Sequence, residues 1–497
     1  MADILLTTIN ARYVHAAFSL RCLMAALGPL RERAEMVEYD LKRLPEDIAA
    51  DLLARDPKVV LFSVYIWNVT AVTRVLQLLR ERAPGVRLVI GGPEVTYSPP
   101  GDACLRAADC LVRGEGEPVV EEICRRALAG ETLPAEYAPP PPAPADLPLP
   151  YAWYSDEDVR NRIIYIETAR GCPYRCAYCL SSMEIKLRLF DPARLYPEFE
   201  RLIDRGVKLF KFLDRSFNAH PRRAVEILTF FLERLRPGMC LHMELVPDRI
   251  PELLRECILK FPPGVLQFEV GVQSCNAEVL ERIQRRQDPE KTAENLAWLC
   301  AESGAVVHAD LIFGLPGESM ESMAAGFDRL VPLAPDRLEV NPLKLLRGTP
   351  LEKLVDAHGL VFDPEPPYCL LESPQVSREQ MERLQRFDRF WEIFYNSGHF
   401  TRSLPLLWEG EGRSPFACFT SLAEWMYQRH GRAHGLHLRD LVEDFFAFAT
   451  GPGGVSAEQL APKLAEDYQA DGKRHLPKFL KRVDLRPASK EEVKYSP

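Results

Sequence analysis

Residues 167–180 read ETARGCPYRCAYCL and set cysteines at 172, 176 and 179, with three residues and then two between them. So tight and regular a group points to a metal. A cytoplasmic chain with 13 cysteines, an odd number, is expected to keep them reduced, and clustered thiols there serve as ligands. A closed structural zinc site needs four ligands, and this loop offers three, so Cys240 or a histidine would have to complete it. An iron–sulfur cubane normally takes four thiolates; held by three, it keeps one iron open to another ligand. The spacing alone fits either metal.

What surrounds the loop is repetitive. Six strand-like runs appear between residues 162 and 344: RIIYIET, VKLFKFL, MCLHMEL, LQFEVGV, AVVHADLIF and RLEVNPLK. Helical patterns separate most of them, at 192–205, 219–236, 276–285 and 318–332. Six such units predict an open, partial (β/α)6 barrel of TIM type. The cysteine loop follows its first strand. Asp214 to Asn218, Glu244, Gln273, Ser274, Gly314 to Glu318 and Lys344 fall at or just past strand ends. In a parallel barrel those ends form the face where active sites are built.

Upstream, DILLTT, KVVLFSVY and RLVIGG read as buried strands alternating with the amphipathic patterns FSLRCLMAAL, AVTRVLQLLRER and PVVEEICRRAL. That alternation predicts a parallel sheet covered on both faces by helices. The proline-rich stretch AEYAPPPPAPADLPLP follows, in which extended polyproline geometry predicts a semi-rigid linker. Past residue 360 the alternation stops and aromatic, helical patterns take over. The expected α/β division is thus a Rossmann-like domain at 1–133, a linker at 134–161, the barrel at 162–360 and a mostly helical domain at 361–497.

The formal net charge of −9 argues against general nucleic-acid binding. The basic tail of Lys473, Arg474, Lys478, Lys481, Arg482 and Arg486 reads as solvated helix surface. There is no leader-like N-terminus and no uninterrupted apolar run near 18 residues, so a cytoplasmic location without a membrane span is expected. The eight cysteines 22, 104, 110, 124, 240, 257, 300 and 418 read as small core residues.

CPYRCAYC, with an aromatic before its last cysteine, resembles the signature of radical S-adenosylmethionine (radical SAM) enzymes. The resemblance implies that Cys172, Cys176 and Cys179 hold a 4Fe–4S cluster whose open iron chelates S-adenosylmethionine. It also implies reductive cleavage to a 5′-deoxyadenosyl radical, with electrons from a flavodoxin or ferredoxin. Tyr178 would flank the adenine. Glu244, Glu269, Gln273 and Ser274 would contact the rest of S-adenosylmethionine. GVQS and LIFGLPGE resemble later strand motifs of the same family. FLDRSFN is similar to a segment of its cobalamin-dependent members, which implies cofactor or substrate contacts for Asp214 and Asn218; Lys344 could contact a substrate carboxylate.

The front domain resembles the cobalamin-binding domain that precedes many such barrels, on VIGGPEVTYSP followed by LVRGEGEP. Gly91, Gly92, Pro93, Glu94, Gly114, Glu115 and Gly116 would then border the cofactor. The D-x-H-x-x-G pattern that supplies an axial histidine is absent. His15 reads as a capping or surface residue, and Tyr65 or Trp67 could cover the lower corrin face instead. The resemblance implies methylation of an unactivated carbon of a small-molecule or peptide substrate by way of methylcobalamin. Three other readings share these motifs: cyclisation or rearrangement, tRNA methylthiolation, and a non-catalytic cobalamin- or redox-responsive role. Methylthiolation would require three further cluster cysteines in the front domain.

Overall fold

A computed structural model of the chain describes residues 2–470, 472, 474–477, 479 and 480. The chain divides into two compact units. The first runs to Glu244 and includes residues 344–353 and 363–369; the second holds Leu245–Leu343, Leu354–Phe362 and the described residues from Leu370 on.

The first unit opens with a six-stranded parallel sheet. Its strands are β1 (Ile4–Asn10), β2 (Ala34–Asp40), β3 (Val59–Ser63), β4 (Arg87–Gly91), β5 (Cys110–Val112) and β6 (Glu136–Tyr137), in the order β2-β1-β3-β4-β5-β6. β1 and β3 are buried along their whole length, as apolar runs without alternation require of a sheet covered on both faces. Leu5, Val60, Phe62 and Ile90 pack with Ile48, Leu52, Val75 and Leu76 of helices 45–54 and 69–82. On the other face Ile4, Leu6, Leu61 and Val89 pack with Leu20, Met24 and Ile123 of helices 18–26 and 120–128.

The proline-rich stretch is more than a spacer. Glu136 and Tyr137 form the sixth strand, and short 3-10 turns occupy Pro144–Asp146 and Tyr151–Trp153. Prolines lack N–H donors but keep carbonyls, and these accept from arginines: Arg194 binds the carbonyls of Pro144, Ala145 and Leu147. The same unit then carries β7 (Ile164–Ile166), the two-stranded hairpin β8 (Ala169–Arg170) and β9 (Arg188–Leu189), β10 (Leu209–Phe212) and β11 (Cys240–Leu245). β7, β10 and β11 are parallel neighbours.

The second unit continues the β/α repeat with β12 (Leu266–Gln273), β13 (Val306–Phe313) and β14 (Arg337–Pro342), which pair in parallel with one register shift in β12 between Gly271 and Gln273. Each compact unit thus carries three of the six β/α units. In β12 and β13, buried Phe268, Val270, Ala309 and Phe313 alternate with half-buried Gln267, Glu269, His308 and Asp310. One face is therefore apolar and packed, and the other polar.

The C-terminal segment is helical, at 378–391, 415–430, 438–450 and 457–469. Trp391, Phe394 and Phe400 are completely buried among Phe387, Phe419 and Phe445, so these aromatics form a core. A single π-type turn at Glu392–Asn396 follows helix 378–391 and meets edge strand β14. There Asn396 accepts from the Leu338 N–H at 2.9 Å and donates to its carbonyl at 3.2 Å; the Trp391 indole donates to the same carbonyl at 2.8 Å. These side chains satisfy an edge that would otherwise be open to pairing. Of the basic tail, Arg474 lies 5.8 Å from the Tyr468 ring, and Lys473, Lys478, Lys481, Arg482 and Arg486 lie outside the described residues.

Candidate metal centre and cofactor face

The three cysteines sit in the loop that β8 and β9 close. Gly171 turns the chain into it with φ +84°, and an added Cβ would stand 2.4 Å from the Lys186 carbonyl oxygen. Only glycine satisfies both conditions. The Cys172 N–H donates to the Glu184 carbonyl at 2.9 Å, and the Cys179 N–H donates to the Cys176 carbonyl at 3.1 Å. Cys172 and Cys176 are buried, Cys179 is half-buried, and none of the chain's cysteines forms a disulfide. Burial pushes the Cys172 thiol above its ordinary range.

Asp214, after β10, is buried and holds the entry to this loop, accepting from the Thr168 N–H at 2.8 Å and its hydroxyl at 2.5 Å. Burial pushes its carboxyl up to about 7, against the pull of both Thr168 bonds. Asn218 is fully buried, and Tyr178 is half-buried beside Cys179 in the chain. Glu244 at the end of β11 accepts from Arg215 at 2.8 Å. Lys344 makes an antiparallel bridge to Cys369.

In the front sheet the strand order reverses between β1 and β3, the position at which open α/β sheets bind ligands. Asn68, fully buried, ties the two strand ends: its amide donates to Thr8 Oγ1, the Ile9 carbonyl and the Ser63 carbonyl, and its oxygen accepts from the Tyr65 N–H. The turn so fixed presents Tyr65 and Trp67 as a stacked pair, with centroids 4.4 Å apart and planes within 5°. Trp67 remains 46% exposed, and Tyr13, Leu41, Leu44 and Tyr97 are exposed beyond the ends of β1, β2 and β4. His15 Nδ1 lies 2.7 Å from the Tyr165 hydroxyl, and burial first, then Lys211, lowers its basicity.

The two glycine loops divide their work. Gly92, with φ +114°, crosses the Val64 backbone so closely that a Cβ would meet its carbonyl oxygen at 2.5 Å. Chain crossing therefore explains this glycine. Gly114, with φ +75°, has nothing within 4 Å of where a Cβ would stand, so its backbone faces open space. Gly91 and Gly116 would meet Val112 and Leu23 at 3.4 and 3.0 Å.

Pro93 begins the short helix of residues 93–96. Glu94 is buried and accepts from the Tyr368 hydroxyl at 2.6 Å, while Arg347 donates to Ser98 and Asp102 at 2.6 Å. Glu115 accepts from Arg170 at 2.6 Å and also from Arg188. The carboxylates of Glu94 and Glu115 are thus committed to protein partners, and what these loops offer a cofactor is backbone.

In the second unit Glu269, Gln273 and Asp310 lie on the polar strand face. Gln273 adopts φ +70° at a bulge in β12, a strained placement for a non-glycine residue. The Ser274 hydroxyl donates to Glu318 at 2.6 Å and accepts from the Asn276 N–H at 3.1 Å. Burial raises Glu318 to about 7. Gln267, His308 and Asp310 gave no motif signal; only the period-two polarity of their strands marks them.

The other front-domain cysteines do not converge. Cys104 belongs to one core face of the sheet and Cys110 and Cys124 to the other.

Comparison with known proteins agrees with this layout. The chain matches the B12 binding domain over residues 4–124, the radical SAM superfamily over 166–330, and a protein of unknown function (DUF4080) over 356–496. It is 27% identical to the 2-(S-pantetheinyl)-carbapenam-3-carboxylate methyltransferase of Streptantibioticus cattleyicolor, over 84% of this chain and 69% of that one. It is 25% identical to the cobalamin-dependent radical SAM methyltransferase TokK of Streptomyces tokunonensis, with the same shares. Its fold is similar to that of the methyltransferase TsrM from Kitasatospora setae, solved with cobalamin and a [4Fe–4S] cluster (TM-score 0.58, 18% identity, 85% of this chain and 99% of that one). Among the described residues no helix is long and apolar enough to cross a membrane.

Proposed function

We propose that this chain, which belongs to the cobalamin-dependent radical SAM enzymes, methylates an unactivated carbon of a small molecule. When bound, the 4Fe–4S cluster with S-adenosylmethionine supplies a 5′-deoxyadenosyl radical, and cobalamin supplies the methyl group. The observation that carries this reading lies in the first unit. A thiol loop pinned at Gly171 and an aromatic-rimmed switch point at Tyr65 and Trp67 belong to one compact body.

Cys172, Cys176 and Cys179 would hold the cluster, and three thiolates leave one iron open. Three ordered, undisulfided thiols on a glycine-fixed loop fit that group. Thr168 and Asp214 set where the loop begins. Tyr178 would stack on the adenine. Glu269 and Gln273, on a polar strand face that also carries Asp310, would suit the cationic sulfonium and its amino group. Asn218 and Lys344 remain our candidates for substrate.

On the front sheet the backbone of Gly91, Gly92, Gly114 and Gly116 would border the corrin, with Gly114 the most open to it. Trp67 on its Tyr65 stack would cover the lower face. His15 would not coordinate cobalt, because the D-x-H-x-x-G pattern that carries an axial histidine is absent. We keep the domain borders at 133, 161 and 360: the matched segments 4–124 and 166–330 fall inside the first two domains, while β6 carries the front sheet past 133 and the segment 356–496 begins just before the last border. We also keep a flavodoxin- or ferredoxin-like electron donor and a cytoplasmic location.

The test is reconstitution with iron, sulfide and hydroxocobalamin under anaerobic conditions, followed by S-adenosylmethionine and a strong reductant. Both 5′-deoxyadenosine and S-adenosylhomocysteine should form. Changing Cys172, Cys176 and Cys179 together to alanine should abolish iron binding and 5′-deoxyadenosine. A full cluster in that triple variant would overturn the assignment.

A further inference from the structure

Glu115 lies in the front-domain loop RGEGEP, yet its carboxylate reaches the mouth of the thiol loop. Arg170 and Arg188 are register partners across the β8–β9 hairpin, so two guanidiniums stand side by side where that loop closes. They are 14% and 7% exposed, and like charges so placed repel strongly where water is scarce. Glu115 takes one with each oxygen, Arg170 at 2.6 Å through Oε2 and Arg188 through Oε1. Glu117 of the same loop adds a second contact to Arg170 at 2.9 Å, and Glu167 a third at 2.8 Å. Arg188 also donates to Glu184, whose carbonyl accepts from Cys172, and to the Pro142 carbonyl. A continuous chain of contacts therefore runs from the glycines of the front loop to the backbone of the first cysteine.

We infer that Glu115 is a positioning residue that couples cobalamin binding at the RGEGEP loop to the geometry of the cluster loop, through Arg170 and Arg188. The inference rests on the proposed function, because it needs Gly114 and Gly116 to meet the corrin and the three cysteines to hold the cluster. Ordering of one loop then favours the closed form of the other, and by linkage the effect runs equally in both directions.

The test measures that reciprocity in the full chain. Hydroxocobalamin is titrated into cluster-free and cluster-loaded protein, and deuterium uptake of residues 168–190 is followed with and without cobalamin. In the wild type the cluster should tighten cobalamin binding by roughly fivefold or more, the low end of ordinary coupling between sites. Cobalamin should slow exchange in the hairpin by a similar factor. Glu115→Gln keeps the shape and removes the charge; it should still bind both cofactors, with the ratio of affinities close to one. Glu115→Asp should restore part of the ratio. A merely structural loss would lower both affinities and leave their ratio unchanged, and that result would overturn the inference. So would a wild-type ratio of one. Wild-type protein that binds no cobalamin at all would instead overturn the proposed function, and this inference with it.

Discussion

Gly171→Ala separates the thiol loop from everything around it. At φ +84° an alanine carries about 1–2 kcal/mol of left-handed backbone strain. Its Cβ would also stand 2.4 Å from the Lys186 oxygen, about 1 Å inside ordinary contact, and 3.0 Å from the Glu184 oxygen. That second atom is the acceptor of the Cys172 N–H, so relief of the clash displaces the first thiol. Strain alone, concentrated in the closed loop, would lower cluster affinity on the order of tenfold, and the displacement adds to it. Gly206→Ala is the control: its φ is +89°, but nothing lies within 4 Å of the new Cβ. The control should lose similar stability and keep its iron. The assay is iron and sulfide per chain after anaerobic reconstitution, beside the melting temperature of each cluster-free variant. Gly171→Ala with wild-type iron content and affinity would refute the claim that this backbone crossing builds the site.

Asp214→Asn tests the buried carboxyl that holds Thr168. Its folded-state value of about 7 lies above the ordinary 3.8, so its neutral form favours folding, and that contribution is lost as pH rises from about 4 to 7. Relative to wild type the variant should gain up to about 4 kcal/mol across that window, and parallel stability profiles would contradict it. With no D-x-H-x-x-G pattern to supply an axial histidine, the cob(II)alamin form bound to the protein should show no nitrogen superhyperfine splitting in electron paramagnetic resonance; a nitrogen triplet would remove the Trp67 proposal. Asn396→Ala leaves the edge N–H of Leu338 unpaired and should cost about 1–3 kcal/mol, read by denaturant unfolding; an unchanged midpoint would mean the edge is satisfied otherwise.

The six barrel strands and the three apolar strands of the front sheet were legible because each lies in an unbroken or alternating apolar run of at least four residues, even where the strand itself, as β7, has three. Exceptions have physical causes. β2 is an edge strand whose Glu38 is neutralised by Arg21 and Arg162, the latter from well beyond the front domain. β5 and β6 have three and two residues, too few for any period. Among the candidate site residues, local motifs marked the thiol loop, the glycine loops and the aromatic pair. Glu94, Glu115 and Ser274 stood inside the same motifs but face protein partners, because an ion pair or hydrogen bond made at long range leaves no trace in local sequence. Asn68 and Arg188 act through such distant contacts and carried no signal of their own.

The central claim is methyl transfer through two uses of S-adenosylmethionine, and the two uses leave different products. The most direct measurement supplies reconstituted protein with S-adenosylmethionine bearing a deuterated methyl group and a pool of candidate small molecules. Labelled product, S-adenosylhomocysteine and 5′-deoxyadenosine are then counted together. The two nucleosides should form in about equal amounts per methylated product, with little uncoupled cleavage. Turnover of a substrate that yields 5′-deoxyadenosine without S-adenosylhomocysteine would contradict methyl transfer.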